Sequence, residues 1–250
     1  MTSALNPTEP ARTRNRGSRR PAAVLGGLAA VLLLVTACGT SSPAASSTSA
    51  ASSRTTAASA APGTINCSYE PGGSAAKEVE LPAENEPTLG SATAAIALTG
   101  GTIDIELDRA TAPCTVGSFV HLAESGYYDD TPCHRLTKSA GLSVLQCGDP
   151  SGSGGGGPGY TYADETNPDM VYPAGTVAMA NAGPDTNGSQ FFLVYEDSTL
   201  PPDYTVFGEM TGGLDVLRAI AAKGIAGSGQ MTTPVDPVTI STITITDGQG

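Results

Sequence analysis

The chain has 250 residues, with 24 acidic against 12 basic side chains for a formal net charge of −12, and it is rich in glycine (31) and proline (19) with no tryptophan. That length admits one domain of ordinary size plus additional sequence. Acidity on this scale excludes a nucleic-acid binder and a protein gripped electrostatically by anionic lipid, because both need a basic face.

The additional sequence stands at the front. Arg12, Arg14, Arg16, Arg19 and Arg20 precede an apolar run from Ala22 to Val35, which ends in Val35-Thr36-Ala37-Cys38. A basic head, a short apolar segment and small residues before a cleavage point describe an export signal. The run is too short and too glycine-containing for a membrane-spanning helix. Val-Thr-Ala-Cys resembles a bacterial lipobox, so a signal peptide over 1–37 and lipid attachment at Cys38 are expected, with the protein anchored to the outer face of the cell membrane. An ordinary signal peptide cut elsewhere, with Cys38 lost, is the alternative.

Residues 38–63 are almost entirely Ser, Thr, Ala, Pro and Gly, with Arg54 the only charge. Such a stretch has nothing to bury and reads as a flexible tether. Residues 64–91 mix apolar side chains with Glu78, Glu80, Glu84 and Glu86 and read as a domain-specific extension. Cys67, Cys114, Cys133 and Cys147 remain after Cys38; four cysteines in an exported chain suggest two disulfides, with three possible pairings. No Cys-x-x-Cys or His-x-x-x-His spacing accompanies them, so no metal site is expected.

Within the domain, Thr102 to Asp108 alternates Ile103, Ile105 and Leu107 with acidic residues and reads as the first strand, wet on one face. Pro113 opens a helix with Val116, Phe119, Val120 and Ala123 at helical spacing, ended by Gly126; His121 falls on its solvated rim. Gly152 to Gly159 has neither a following Lys-Ser/Thr pair nor a strand-to-helix setting, so it reads as a flexible loop rather than a phosphate cradle. Thr176 to Met179 reads as a half-buried strand and Phe191 to Tyr195 as a second strand, one of Phe191 and Phe192 facing in and the other out. Between them lies an ordered polar loop, in which Asn187-Gly188 takes positive φ cheaply. Gly213 to Ala222 reads as a second helix. Val238 to Thr246 is the last strand, and its phase slips between Ile240 and Ile243, which predicts a bulge. Many short strands and two helices leave a sandwich and a barrel both open.

Met179-Ala180-Asn181-Ala182-Gly183-Pro184-Asp185-Thr186-Asn187-Gly188-Ser189-Gln190-Phe191-Phe192 closely resembles the signature of the cyclophilin peptidyl-prolyl isomerases. His134-Arg135-Leu136 with Gln146-Cys147-Gly148-Asp149, and Val206-Phe207-Gly208-Glu209, resemble the family's other strands and occur in its order. The resemblance runs over residues 92–247, inside a domain placed at 92–250. It implies a mainly β fold: a closed eight-stranded antiparallel barrel capped by two α-helices, with the site on the outer face. The implied activity is cis/trans rotation about Xaa-Pro bonds, without cofactor, in which Arg135 donates to the prolyl nitrogen and Gln146 and Phe192 complete the catalytic set. Val144, Phe192 and Leu200 would line the proline pocket with Met179 behind it. Ala180 and Asn181 would offer backbone groups, and Gln190 would join Gln146 in holding Arg135 and the substrate. Thr199 and Tyr204 stand where tryptophan and histidine are common, and Leu142 or Ser143 where phenylalanine is, so the walls are smaller. Ten residues separate Arg135 from Gln146, about three more than the family pattern. The resemblance also favours the pairing Cys133–Cys147 across neighbouring strands, leaving Cys67–Cys114 to pin the extension to the first helix. Proline-containing peptides and unfolded clients are the implied partners of a monomer. A non-catalytic module that only holds proline peptides is the alternative from another class, while a solute-binding lipoprotein with two lobes needs more chain.

Overall fold

The computed structural model describes residues 63–229 and 231–248. Cys38, the signal segment and the tether up to residue 62 lie outside the described residues. The described residues open with β1 (Thr64–Asn66), β2 (Glu70–Pro71) and β3 (Asn85–Pro87), and β1 pairs antiparallel with β3. Next comes β4 (Ser91–Leu98), which turns Ala92, Ala94, Ile96 and Leu98 inward. The sequence reading placed the first strand of the domain one strand later, at Thr102 to Asp108, because alanines are poor strand formers and hide the period-two pattern. β5 (Gly101–Leu107) buries Ile103, Ile105 and Leu107 with Asp104 and Glu106 exposed, as expected.

Helix α1 (Pro113–Glu124) buries Val116, Phe119, Leu122 and Ala123. Ala112 at its N-cap has no side chain to offer, so the open N–H groups are satisfied from far away in the chain. The Glu165 carboxylate accepts the Cys114 N–H at 3.0 Å, the Thr115 N–H at 2.8 Å and the Thr115 hydroxyl at 2.7 Å. The next strands are β6 (Thr131–Pro132), β7 (Arg135–Leu136), β8 (Val144–Cys147), β9 (Tyr160–Thr161), β10 (Thr176–Met179) and β11 (Phe191–Val194). The chain continues through β12 (Val206–Gly212) and helix α2 (Leu214–Ala222) to the hairpin of β13 (Ile225–Ser228) and β14 (Met231–Pro234), and then β15 (Thr239–Gly248).

One antiparallel sheet of nine strands runs in the order β6-β15-β4-β5-β12-β10-β11-β8-β7. Its two ends, β6 and β7, are separated in sequence only by Cys133 and His134. Taken as one interrupted strand, they reduce nine to the eight of the expected barrel, and the ring is closed there by the chain itself. The register shifts between Ile240 and Thr242, which is the expected bulge in the last strand. Cys133–Cys147 crosses the same seam with Cα atoms 4.0 Å apart, and Cys67–Cys114 ties the extension to α1 at 5.5 Å, the pairing implied by the resemblance.

The barrel core centres on Phe119, which meets the rings of Phe207 and Phe191 at 5.1 and 5.5 Å. β8, β10 and β11 depart from the half-buried pattern expected of β10. Thr176, Val177, Ala178 and Met179 are all buried, because Val177 and Met179 face the barrel core while Ala178 faces a second apolar cluster outside it. Phe191 and Leu193 likewise point in, and Phe192 and Val194 out. β2 pairs with β9, so the extension also grips the loop that follows β8.

Glu86, on β3, lies over α1 at Gly117, where a Cβ would stand 2.1 Å from the Glu86 carboxyl carbon. Burial pushes its pKa from 4.5 up to about 7, although the Arg109 charge opposes the shift. Unfolded Glu86 gives up its proton near the ordinary value and folded Glu86 only near 7, so stability falls as pH rises through that window. Glu86→Gln should therefore raise the melting temperature by a few degrees at pH 8 and leave it nearly unchanged below pH 4.5, as thermal melts at the two pH values would show.

Candidate active site

Residues paired across neighbouring antiparallel strands point to the same side of the sheet. The registers Arg135↔Gln146, Gln146↔Phe192, Phe192↔Ala178 and Ala178↔Val206 therefore set one row of side chains across five strands on the barrel's outer face. Arg135, at the polar end of this row, donates from Nη1 to Gln146 Oε1 at 3.1 Å. Gln146 Nε2 donates in turn to Gln190 Oε1 at 2.9 Å. Gly148 lets the end of β8 come up against Ser189, since its φ is +91° and a Cβ there would stand 2.3 Å from the Ser189 carbonyl oxygen.

The apolar end of the row is the outer cluster. Val144, Ala178, Phe192 and Val194 are buried in it with Tyr172, and Leu142, Ala180, Leu200 and Tyr204 pack against them. The rings of Phe192 and Tyr204 meet edge to face at 5.6 Å. Above this floor lies an open cleft of about 540 Å³, bordered by Arg135, Val144, Gln146, Ala180, Asn181, Phe192, Leu200 and Tyr204. These eight had been singled out from the sequence. Three others had been as well, and they fall elsewhere. Met179 is 1% exposed and belongs to the barrel core, since it stands one residue along from Ala178 and so faces the other way. Thr199 lies outside the cleft, its N–H bound to the Gly141 carbonyl at 2.8 Å. Gln190 borders an adjoining cleft of about 370 Å³ and meets the first through its hydrogen bonds to Gln146 and to the Gly154 carbonyl. Ala180 donates its N–H to the Gln190 carbonyl, which removes that donor from those available to a peptide.

The loop joining β10 and β11 is ordered, as expected, by its own polar groups. Asn187 is fully buried and donates from Nδ2 to Ala163 O at 3.1 Å and Asp164 Oδ1 at 2.8 Å. Positive φ falls on Gly183 and Asp185, however, and not on Asn187-Gly188; tertiary hydrogen bonds to Asp164 override the local preference for a turn there. The glycine stretch 152–159 is not a flexible loop either. Hydrogen bonds to the Asp149 carboxylate shape its first half, and its second half leads into the β2–β9 pair.

A family model described as cyclophilin type peptidyl-prolyl cis-trans isomerase/CLD matches residues 93–245. The chain belongs to this family. The probable peptidyl-prolyl cis-trans isomerase B of Mycobacterium tuberculosis is 46% identical over 194 residues, covering 71% of this chain and 63% of that protein. Its Mycobacterium leprae counterpart is 47% identical over 195 residues, covering 72% and 66%. The chain thus spans just under two thirds of the length of these mycobacterial relatives. Among solved structures, a cyclophilin type peptidyl-prolyl cis-trans isomerase of Cryptosporidium parvum superposes with a TM-score of 0.56 at 32% identity, covering 63% of this chain and 99% of that one. The same protein in the presence of the dipeptide Ala-Pro gives a TM-score of 0.55 at 33% identity, covering 62% and 99%.

Several residues of this cyclophilin's cleft escaped the sequence reading. His134, beside Arg135, borders the cleft with both ring nitrogens buried. Burial lowers its pKa below the ordinary imidazole value, against the pull of Asp149. Thr233 enters from the β13–β14 hairpin, which the sequence reading did not place although Gly227, Ser228 and Gly229 mark its turn. Tyr172 fixes the backbone at Tyr204, donating its hydroxyl to the Tyr204 carbonyl at 3.0 Å and accepting the Tyr204 N–H at 3.1 Å. Only a hydroxyl can serve both groups at once. Tyr172→Phe leaves them unpaired and should cost about 1–3 kcal/mol of stability. It should also free the Tyr204 ring that packs on Phe192, and denaturant melts of the variant and the native protein would measure the loss.

Proposed function

We propose that this chain is a peptidyl-prolyl cis-trans isomerase that acts as a monomer on proline-containing segments of unfolded clients, assisting the folding of exported or envelope proteins. One observation carries the reading: a guanidinium held by Gln146 stands at the rim of an apolar cleft floored by Phe192. The Ala-Pro dipeptide named with the Cryptosporidium parvum structure is consistent with a proline in such a cleft.

Rotation about an Xaa-Pro bond meets a barrier of about 18–20 kcal/mol because the C–N bond has partial double-bond character. No bond has to be made. At the perpendicular state the lone pair is localised on the prolyl nitrogen, so a donor placed there stabilises the transition state more than either planar ground state. Arg135 is that donor, and its fork of N–H groups lets it keep Gln146 while it reaches the substrate. The apolar wall of Val144, Phe192 and Leu200 strips water from the amide, and water favours the planar, charge-separated form.

Magnitudes divide the work. Uncatalysed exchange takes roughly 10–100 s, and millisecond turnover asks for about 5.5–7 kcal/mol of barrier lowering. A hydrogen bond to a charged group supplies about 1.5–3 kcal/mol, so positioning and desolvation supply the remainder. Full-length protein should therefore isomerise an Xaa-Pro test peptide well above background, and Arg135→Ala should slow it roughly 10- to 100-fold while remaining folded. Peptide binding without any rate above background would instead assign a holding module, with the smaller wall at Leu142 as its cause.

The proposal extends to place. The basic head, the apolar run and Val35-Thr36-Ala37-Cys38 support export and lipidation at Cys38, and two disulfides suit an oxidising compartment. Labelled fatty acid should enter the native protein and not its Cys38→Ser variant, and the variant should leave the membrane fraction.

A further inference from the structure

The Asp149 carboxylate is fully buried, two residues beyond the disulfide cysteine that follows Gln146. Its Oδ1 accepts the Ser151 N–H at 2.8 Å and the Ser151 hydroxyl at 2.6 Å. Its Oδ2 accepts the N–H groups of Gly154 at 2.7 Å and Gly156 at 3.0 Å, with the Ser153 hydroxyl at 3.3 Å. Burial by itself would raise the pKa of this group; the hydrogen bonds from Ser151, Gly156 and Gly154 outweigh burial and hold it below the ordinary carboxylate range. Gly156 has to be glycine, since a Cβ there would stand 2.1 Å from Asp149 Oδ1.

Two residues that give their N–H groups to the carboxylate also present their carbonyls on the other side. Gln190 Nε2 donates to Gly154 O at 3.0 Å and to Gly156 O at 2.9 Å. With its NH₂ end fixed, Gln190 must turn Oε1 toward Gln146, whose Nε2 donates to it at 2.9 Å. Gln146 in turn must present Oε1, not its NH₂, to the Arg135 guanidinium at 3.1 Å. Each amide therefore has its direction set by the one before it. Amide dipoles run head to tail from a buried anion to a cation, the arrangement in which every link is attractive.

We propose that Asp149 is a positioning residue for isomerisation, fixing through the loop at 151–156 and the Gln190–Gln146 pair the direction in which Arg135 offers its donors to the substrate. The inference rests on the reading of Arg135 as the donor. An asparagine at 149 keeps the shape but has one accepting atom, so its NH₂ must oppose either the Ser151 N–H or the N–H groups of Gly154 and Gly156.

In full-length protein labelled with ¹⁵N, Asp149→Asn should lower the turnover of an Xaa-Pro peptide about 5- to 20-fold and leave the peptide Kd within twofold, because the apolar floor is untouched. The side-chain amide resonances of Gln146 and Gln190 should move with it. Gly156→Ala keeps the carboxylate but drives the loop from it, so it should give the same two changes even if the asparagine variant fails to fold. Turnover within twofold of native in either folded variant would overturn the proposal, as would lost turnover with both glutamine resonances unmoved. If the native protein shows no turnover, the isomerase reading fails on its own, and the glutamine resonances alone decide whether Asp149 sets the direction of the pair.

Discussion

Adjacent residues on a strand must face opposite sides of the sheet, and in β8, β10 and β11 both sides are apolar. Leu145, Val177, Met179, Phe191 and Leu193 fill the barrel, while Val144, Ala178, Phe192 and Val194 build a floor on its outside. A sheet facing water would have polar residues in those outer positions. Here the cost of exposing them is met by Tyr172, Leu200, Tyr204 and their neighbours, which cover the floor except along one cleft. The cleft is thus the uncovered part of a second, smaller core, and its shape follows from what the barrel strands must do anyway.

Polar groups are added to that surface in one direction only. The row that begins at Val206 and Ala178 passes Phe192 and becomes polar at Gln146 and Arg135, so apolar contact and hydrogen-bond donor are neighbours by register alone. Long-range restraints hold the polar end. Gly148 allows β8 to approach Ser189, the β2–β9 pair secures the glycine-rich loop, and Cys67–Cys114 secures the extension that supplies β2. The extension is therefore part of the support of the site, although none of its residues borders the main cleft.

How much of this was legible depended on whether the deciding contact was local. The fourteen-residue motif at Met179–Phe192 carried the family, and the period-two pattern of Ile103, Ile105 and Leu107 carried a strand, because each is written in consecutive residues. β4 was hidden by alanines, whose burial follows from the strands on either side and not from their own preference. Glu165 as the cap of α1, and Tyr172 as the anchor of Tyr204, join residues far apart in the chain, and no local pattern announces them. Met179 was placed in the site for its position in the motif, and the strict alternation of β10 sends it to the opposite side.

One of the two shortest strands of the barrel, Arg135–Leu136, is the one that carries the guanidinium, and it lies at an end of the hydrogen-bonded ladder. Sheet ends are where structure opens first, and a two-residue strand has little to keep it there. In this protein that end is fastened twice, by Cys133–Cys147 to β8 and by the unbroken chain through His134 to β6, which pairs with β15. Local opening of the site alone is thereby suppressed. Many proteins lose the geometry of a surface site on warming well before their fold gives way; here the place of the guanidinium is tied to the integrity of the barrel itself.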